Sequence, residues 1–270
     1  MASSQSQFQN FLAKTRTLIC GTCVGVGRYH YGIDENTYDL VVIDEAARSA
    51  ASELAIAMQV GRKVLLVGDH KQLPPHYEDE HIKAARRHLP DVKEESLRCS
   101  DFERAFTSEY GERVGQTLVM QYRMAPPIGN MVSHCFYNGE LATARGEVRT
   151  EFVKIVDSVG GCVTWVDTSS GGKKSYDSKP VGKGVDPHSF VNDYEAEVII
   201  AILNRLYEAD KQEKIFVEGD DSKIGVICMY SEQVRLLVRK INSLSWARSL
   251  LERRIIKIDT VDSYQGKKTI

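Results

Sequence analysis

Apolar residues in this chain occur as short unbroken runs that alternate with longer stretches of helical periodicity. Leu40 to Ile43 (LVVI) is a run rich in β-branched side chains, and Val64 to Val67 (VLLV) repeats it. Such runs suit central parallel strands buried on both faces, with Ser52 to Gln59 as the helix between them. Strands are also predicted at Thr17 to Cys20, Thr117 to Met120, Cys162 to Val166, Ile224 to Met229 and Ile255 to Thr260. Asp193 to Tyr207 sets Ala196, Ile199, Ile200, Leu203 and Leu206 on one face, the stripe of a helix packed on a sheet. Ser231 is placed to cap another helix, with the stripe Val234, Leu237, Val238, Ile241 and Leu244. Ser100-Asp-Phe-Glu103 has capping-box spacing and opens a short helix with Phe102, Ala105 and Phe106 on its apolar face. Glu78 to Glu95 is densely charged and reads as solvated helix or loop. Ser169 to Pro187, rich in Gly, Ser and Lys, reads as a long surface loop. The alternation predicts two parallel α/β lobes, residues 1–112 and 113–270.

The polar residues that end the first two strands carry the candidate chemistry. Asp44 and Glu45 follow Ile43 at the carboxyl edge, where open α/β sheets place ligands. Two adjacent carboxylates there can divide the labour of nucleotide hydrolysis, one holding magnesium and the other polarising the attacking water. After the second strand, Gly68-Asp69 opens a loop that carries Gln72 and the stiff Pro74-Pro75 pair. The second strand, with its Gln at a fixed offset, makes the pairing specific.

Composition narrows the reading. Hydrophobic content of 42% and charged content of 27% over 270 residues are those of a globular chain long enough for two domains. Lys plus Arg is 35 against 37 for Asp plus Glu, a net charge of -2, so nucleic-acid contact must come from local groups. One such group is the basic stretch Arg248 to Lys257, which reads equally well as a solvated helix face. The N-terminus has no apolar signal region and no run reaches membrane-spanning length. Six scattered cysteines fit free thiols in a reducing compartment, cytoplasmic or nuclear. Cys20 and Cys23 have CxxC spacing without a second pair, which favours buried strand-end residues over a zinc site.

Taken in order, these segments resemble a superfamily 1 helicase of the branch that includes the nonsense-mediated-decay RNA helicases. LICGTCVGVG resembles the early nucleic-acid-contacting motif, VVIDEAARSA the Walker B motif and LLVGDHKQLPP the third motif. SDFERAF follows, then LVMQYRMAPPIGNMVSHCFYNGEL resembles the fourth; NDYEAEVI and IGVICMYSEQ lead to TVDSYQG, which resembles the fifth. The likeness covers nearly the whole chain and thins between Tyr77 and Lys93 and between Val148 and Val185. It implies two RecA-like parallel-sheet lobes of the P-loop NTPase class, with ATP and Mg2+ between them and single-stranded DNA or RNA as partner. By the same resemblance Asp44 would bind the metal, Glu45 would activate water, and Gln72 would sense the γ-phosphate and couple it to Pro74 and Pro75 in the nucleic-acid channel. Tyr122 would stack on the adenine and Arg123 would reach the γ-phosphate, where a fixed guanidinium neutralises charge on the transferring group. Thr22 and Thr260 would bond the nucleic-acid backbone, and Gly266 would approach the nucleotide.

The departures are equally informative. A phosphate cradle of the form GxxxxGK[ST] is absent from the sequence. GGKKS at Gly171 and GKKT at Gly266 are decoys, because each has an extra Lys and lacks the preceding strand. Lys268 stands where the family usually has a ribose-binding Glu, Arg48 where many relatives have Gln, and Met229 where many have Pro. The family places the cradle upstream of GTCVGVG and its sixth motif downstream of the fifth. The expectation is an internal piece of a helicase: a first lobe incomplete at its N-terminus, less stable and with exposed apolar faces, and a second lobe truncated at its C-terminus. Alone it would be inactive, and a separate upstream segment carrying the cradle would be a partner in a split enzyme. Two other readings stand: a non-catalytic nucleic-acid- or partner-binding module derived from a helicase, and a regulatory ATPase that moves protein partners.

Overall fold

The computed structural model describes residues 2–28, 32–33, 35–146, 161–213 and 224–264 of the 270. The chain falls into two compact units, one of residues 1–120 with 132–142, the other of residues 121–131 with 143–270.

The first unit begins with helix α1 (Ala2–Thr15) and the single turn α2 (Cys23–Val26), and is centred on strands β1 (Val41–Ile43) and β2 (Val64–Leu66). The two strands are parallel, with Val41 opposite Val64, Val42 opposite Leu65 and Ile43 opposite Leu66. A 3₁₀ turn (Ala46–Arg48) and helix α3 (Ala51–Met58) make the crossover. The Glu53 carboxylate accepts from the Ala50 N–H at 3.2 Å and so satisfies an otherwise unpaired donor at the helix start. Leu54 and Ala57 of α3 then pack with Ile43, Ala46, Ala47 and Phe102 into the core of this unit. Helices α4 (Asp79–His88), α5 (Glu94–Arg98), α6 (Asp101–Phe106) and α7 (Glu109–Val114) follow, so the charged stretch after Glu78 is mainly helical.

Three expectations for this unit change. The expected strands β1 and β2 form, but they bury one face only: Val42 is 56% and Leu65 50% exposed, beside exposed Leu40 and Val67. Their uniform apolarity therefore hides an alternation that burial reveals. Thr17 to Cys20 forms no strand, since no described strand pairs with it; Cys20 is exposed and Cys23 opens α2, so neither is a buried strand-end residue. Only half of the Ser100 capping box closes. The Ser100 Oγ accepts from the Glu103 N–H at 3.0 Å, while the Glu103 carboxylate takes the Cys99 thiol instead, at 3.1 Å.

Residues 120–143 hold β3 (Met120–Gln121), α8 (Pro126–Phe136) and β4 (Ala142–Thr143), elements through which the division between units runs. The second unit is built on β5 (Ile224–Cys228) and β6 (Ile256–Thr260), parallel over five residues from Ile224 opposite Ile256 to Cys228 opposite Thr260. Helices α9 (Asp193–Glu213), α10 (Ser231–Asn242) and α11 (Ser245–Glu252) pack on them, and α12 (Val261–Tyr264) follows β6. The predicted stripes supply part of the core: Leu203 and Ile241 join Ala247, Leu250, Ile255 and Ile256 in one cluster, and Ala196 and Leu237 join Cys228 in another. Cys228 sits deep enough for burial, with Glu195 nearby, to push its thiol up to about 11. The basic stretch from Arg248 is the end of α11 and the entry to β6, its apolar members Leu250, Ile255 and Ile256 in that core.

Cys162 to Val166 is not a strand among the described residues, and Trp165 lies fully open. GGKKS falls in 3₁₀ turns over Ser169–Ser175, broken at Gly172 (φ 56°), with no described strand before it, so it has no phosphate-loop geometry. The loop around it is pinned rather than free. Asn192 and Gln233 exchange two bonds, from Asn192 N–H to Gln233 Oε1 (2.8 Å) and from Gln233 Nε2 to Asn192 O (3.0 Å), and all but a few per cent of both residues is buried. Ser231 does not cap α10, because the distant Ser189 Oγ accepts the Glu232 N–H at 3.1 Å in its place. A satisfied polar network of this kind fixes one loop conformation.

Candidate functional site

In the first unit the Asp-Glu pair sits on a strained turn. Asp44 follows β1 directly, and its Oδ1 accepts from the Glu45 N–H at 2.9 Å. Glu45 lies in the left-handed region, at φ 54° and ψ 33°, where a non-glycine residue is uncommon. That twist starts the 3₁₀ turn and points the chain back into the core, where Ala46 and Ala47 are buried while both carboxylates stay exposed. The turn is tied to the second strand by the Ala46 N–H donating to Val67 O (2.9 Å) and the Val67 N–H donating to Ile43 O (2.8 Å). Gly68 completes the fit: a Cβ there would lie 2.8 Å from the Ala47 nitrogen. Only glycine lets the loop after β2 pass this close to the acidic turn.

That loop is organised by Asp69. Its Oδ1 accepts from the Lys71 N–H at 3.0 Å, and its Oδ2 accepts both the Gln72 side-chain amide, at 2.8 Å, and the Tyr137 hydroxyl. Burial raises the Asp69 carboxyl, but the hydrogen bonds from Tyr137, Gln72 and Lys71, with His70 nearby, outweigh it and hold the group below its usual range. Burial and the bond to Asp69 push the Tyr137 phenol well above its ordinary range. A lowered carboxyl stabilises above its unfolded value and a raised phenol below its own, so the pair contributes fully between about pH 4 and pH 10. Pro74 is exposed and Pro75 buried, which anchors one ring and presents the other.

In the second unit the QYRM segment folds around Gln121. Its Oε1 accepts the N–H groups of Arg123 (2.8 Å) and Met124 (2.6 Å), and its Nε2 donates to Met124 O (2.9 Å) and Thr143 Oγ1 (2.7 Å). A single side chain thus closes the turn that opens α8. Tyr122 is 75% exposed, and the Arg123 guanidinium is exposed with no partner among the described residues. Gly129 on α8 lets that helix approach, since a Cβ there would collide with Thr143 Oγ1.

The remaining candidates are polar side chains at element ends. The Thr22 oxygen caps α2 by accepting the Gly25 N–H at 3.0 Å, and the residue is exposed. Thr260 ends β6 half-buried, its hydroxyl 3.3 Å from that of Ser263. Gly266 lies outside the described residues. Asp69, Tyr137, Gly68 and Gln121 were not among the candidates read from sequence. Gly68 and Asp69 carried a signal in their place directly after β2, whereas Tyr137 carried none.

Known proteins match this chain along its length. Residues 97–269 match one AAA domain family and residues 1–79 match a second family of the same description. The chain belongs to the AAA domain family. Within it, the ordered motifs and the similar proteins mark the chain as similar to an internal part of superfamily 1 helicases of the nonsense-mediated-decay helicase-like branch. It is 27% identical to the DNA replication ATP-dependent helicase/nuclease dna2 of Schizosaccharomyces pombe, over 91% of this chain and 16% of that protein. It is 29% identical to the ATP-dependent helicase upf1 of the same organism, over 95% of this chain and 25% of that protein. The DNA-binding protein SMUBP-2 of Rattus norvegicus is 27% identical over 87% of this chain and 21% of its own length. The chain therefore spans a quarter or less of these relatives. No helix among the described residues is long and apolar enough to cross a membrane.

Proposed function

We propose that this chain is part of an ATP-dependent nucleic-acid helicase or translocase, working inside cells in a reducing compartment and built on two RecA-like lobes that meet near residue 112. The observation that carries the reading is the Asp44-Glu45 turn, held on the second strand by Ala46 and Gly68 with both carboxylates presented to solvent. These carboxylates fit a hydrated magnesium nucleotide. Asp44 would hold the metal, which supplies charge neutralisation on the phosphates, and Glu45 would orient and deprotonate water. Gln72, ordered by Asp69, would face the terminal phosphate. Arg123 would offer an unpaired guanidinium to the same phosphate and Tyr122 a ring face to the base, with Gly266 near the nucleotide. Thr22, Pro74, Pro75 and Thr260 would face single-stranded DNA or RNA. The phosphate cradle is not among the residues of this chain, so a segment elsewhere would supply it, either in the same polypeptide or as a separate upstream partner.

Hydrolysis needs the cradle, the acidic pair and the arginine together. The isolated chain is therefore expected to show no nucleic-acid-stimulated ATP hydrolysis above a Glu45→Gln control in a coupled phosphate-release assay. Turnover that Glu45→Gln abolishes would show that the phosphate site is complete and the need for a cradle from elsewhere wrong. With a net charge of -2, few phosphates are expected to be neutralised, so single-strand binding should be weak and lost well below ~200 mM salt by fluorescence anisotropy. Tight binding that survives such salt would favour the alternative, a non-catalytic binding module.

A further inference from the structure

The Asp69 carboxylate is the meeting point of two segments far apart in sequence. It accepts the side-chain amide of Gln72, three residues on in the same loop, and the hydroxyl of Tyr137, which follows the last turn of α8. All three residues lie in the first unit. Gln72 is exposed and would sample several rotamers if left alone, because a glutamine side chain has three rotatable bonds. A carboxylate that accepts from it, and is itself held by a phenol and by the Lys71 N–H, removes that freedom. The Gln72 N–H bonded back to Asp69 O, at 3.2 Å, closes the loop around the same point.

We propose that Tyr137 is a positioning residue, which through Asp69 locks the Gln72 amide in a single orientation before any nucleotide arrives. The amide then needs no reordering to meet the terminal phosphate. The last consequence rests on the helicase reading; the lock itself does not.

The test uses the chain as it stands, without nucleotide. The side-chain amide of Gln72 is followed by nitrogen-15 nuclear magnetic resonance, with Gln72→Ala to assign the signal. The wild-type amide should be displaced from the positions of exposed glutamines and slow to exchange. Tyr137→Phe keeps the ring and removes the hydroxyl. It should bring the Gln72 signal toward the exposed-glutamine position and speed its exchange roughly tenfold or more, the scale of one charge-assisted hydrogen bond, with a modest fall in the thermal midpoint from the lost bond. If Tyr137→Phe fails to fold, Asp69→Asn takes its place and should release the amide in the same way. An unchanged Gln72 amide in a folded variant would overturn the proposal. A purely structural role for Tyr137 would lower the thermal midpoint and leave the Gln72 signal in place. Absence of ATP turnover in the assembled enzyme would sink the helicase reading and leave the lock standing, so the two failures are distinguishable.

Discussion

Joined to an upstream segment that carries a GxxxxGK[ST] loop and extended past Ile270 through a sixth motif, the chain is expected to hydrolyse ATP. Arg123→Ala in that assembled protein should lower turnover by roughly 10³-fold or more and leave ATP affinity nearly unchanged. The reason lies in when the guanidinium acts. Its charge is worth little against a ground-state phosphate already neutralised by other groups, and far more against the charge that develops as the phosphoryl group transfers. The turn around Gln121 presents Arg123 exposed and unpaired, so no resident ion pair has to break first. Steady-state kinetics would read the effect as a fall in kcat with KM held. Turnover that survives Arg123→Ala unchanged would end the assignment of the QYRM segment.

The largest effect on folding is expected at Leu237. It is fully buried at the centre of the second unit, against Ala196 and Cys228 from α9 and β5. Leu237→Ala removes three carbons from a site with no solvent to fill the space, and should cost about 2–5 kcal/mol. Urea titration followed by circular dichroism would show the midpoint fall with an unchanged slope. Val42→Thr on the open face of β1 and β2 is the matching control. It preserves β-branching on an exposed strand position, and should shift stability by no more than about 0.5 kcal/mol. A large loss for Val42→Thr would mean that this face is covered in solution.

What could be read in the sequence was whatever repeats locally. The stripes of α9 and α10 predicted Leu203, Leu237 and Ile241 in the core, because helical periodicity records burial directly. The apolar runs at β1 and β2 located the strands but not their open face, since an all-apolar run carries no alternation to show which side is covered. Asp44, Glu45 and Gln72 were legible as polar side chains that follow the strands, which is where the structure places them. The devices that hold them were not. Tyr137 reaches Asp69 across 68 residues and Ser189 caps α10 across 43, separations at which no sequence spacing constrains a pair. The three hydrogen bonds that Gln121 makes within its own turn were closer at hand, yet a glutamine beside a tyrosine and an arginine draws attention to its neighbours first.

The backbone at Glu45 sets stability and chemistry against each other at one position. At φ 54° an L side chain costs about 1 kcal/mol that glycine would not. Glu45→Gly would thus relax the turn while deleting the carboxylate assigned to water. Selection for heat resistance alone would drift toward that change, and selection for turnover would drive it back. Laboratory evolution of this chain under the two regimes should diverge first at this residue, well before the packed interior of the second unit accepts any substitution.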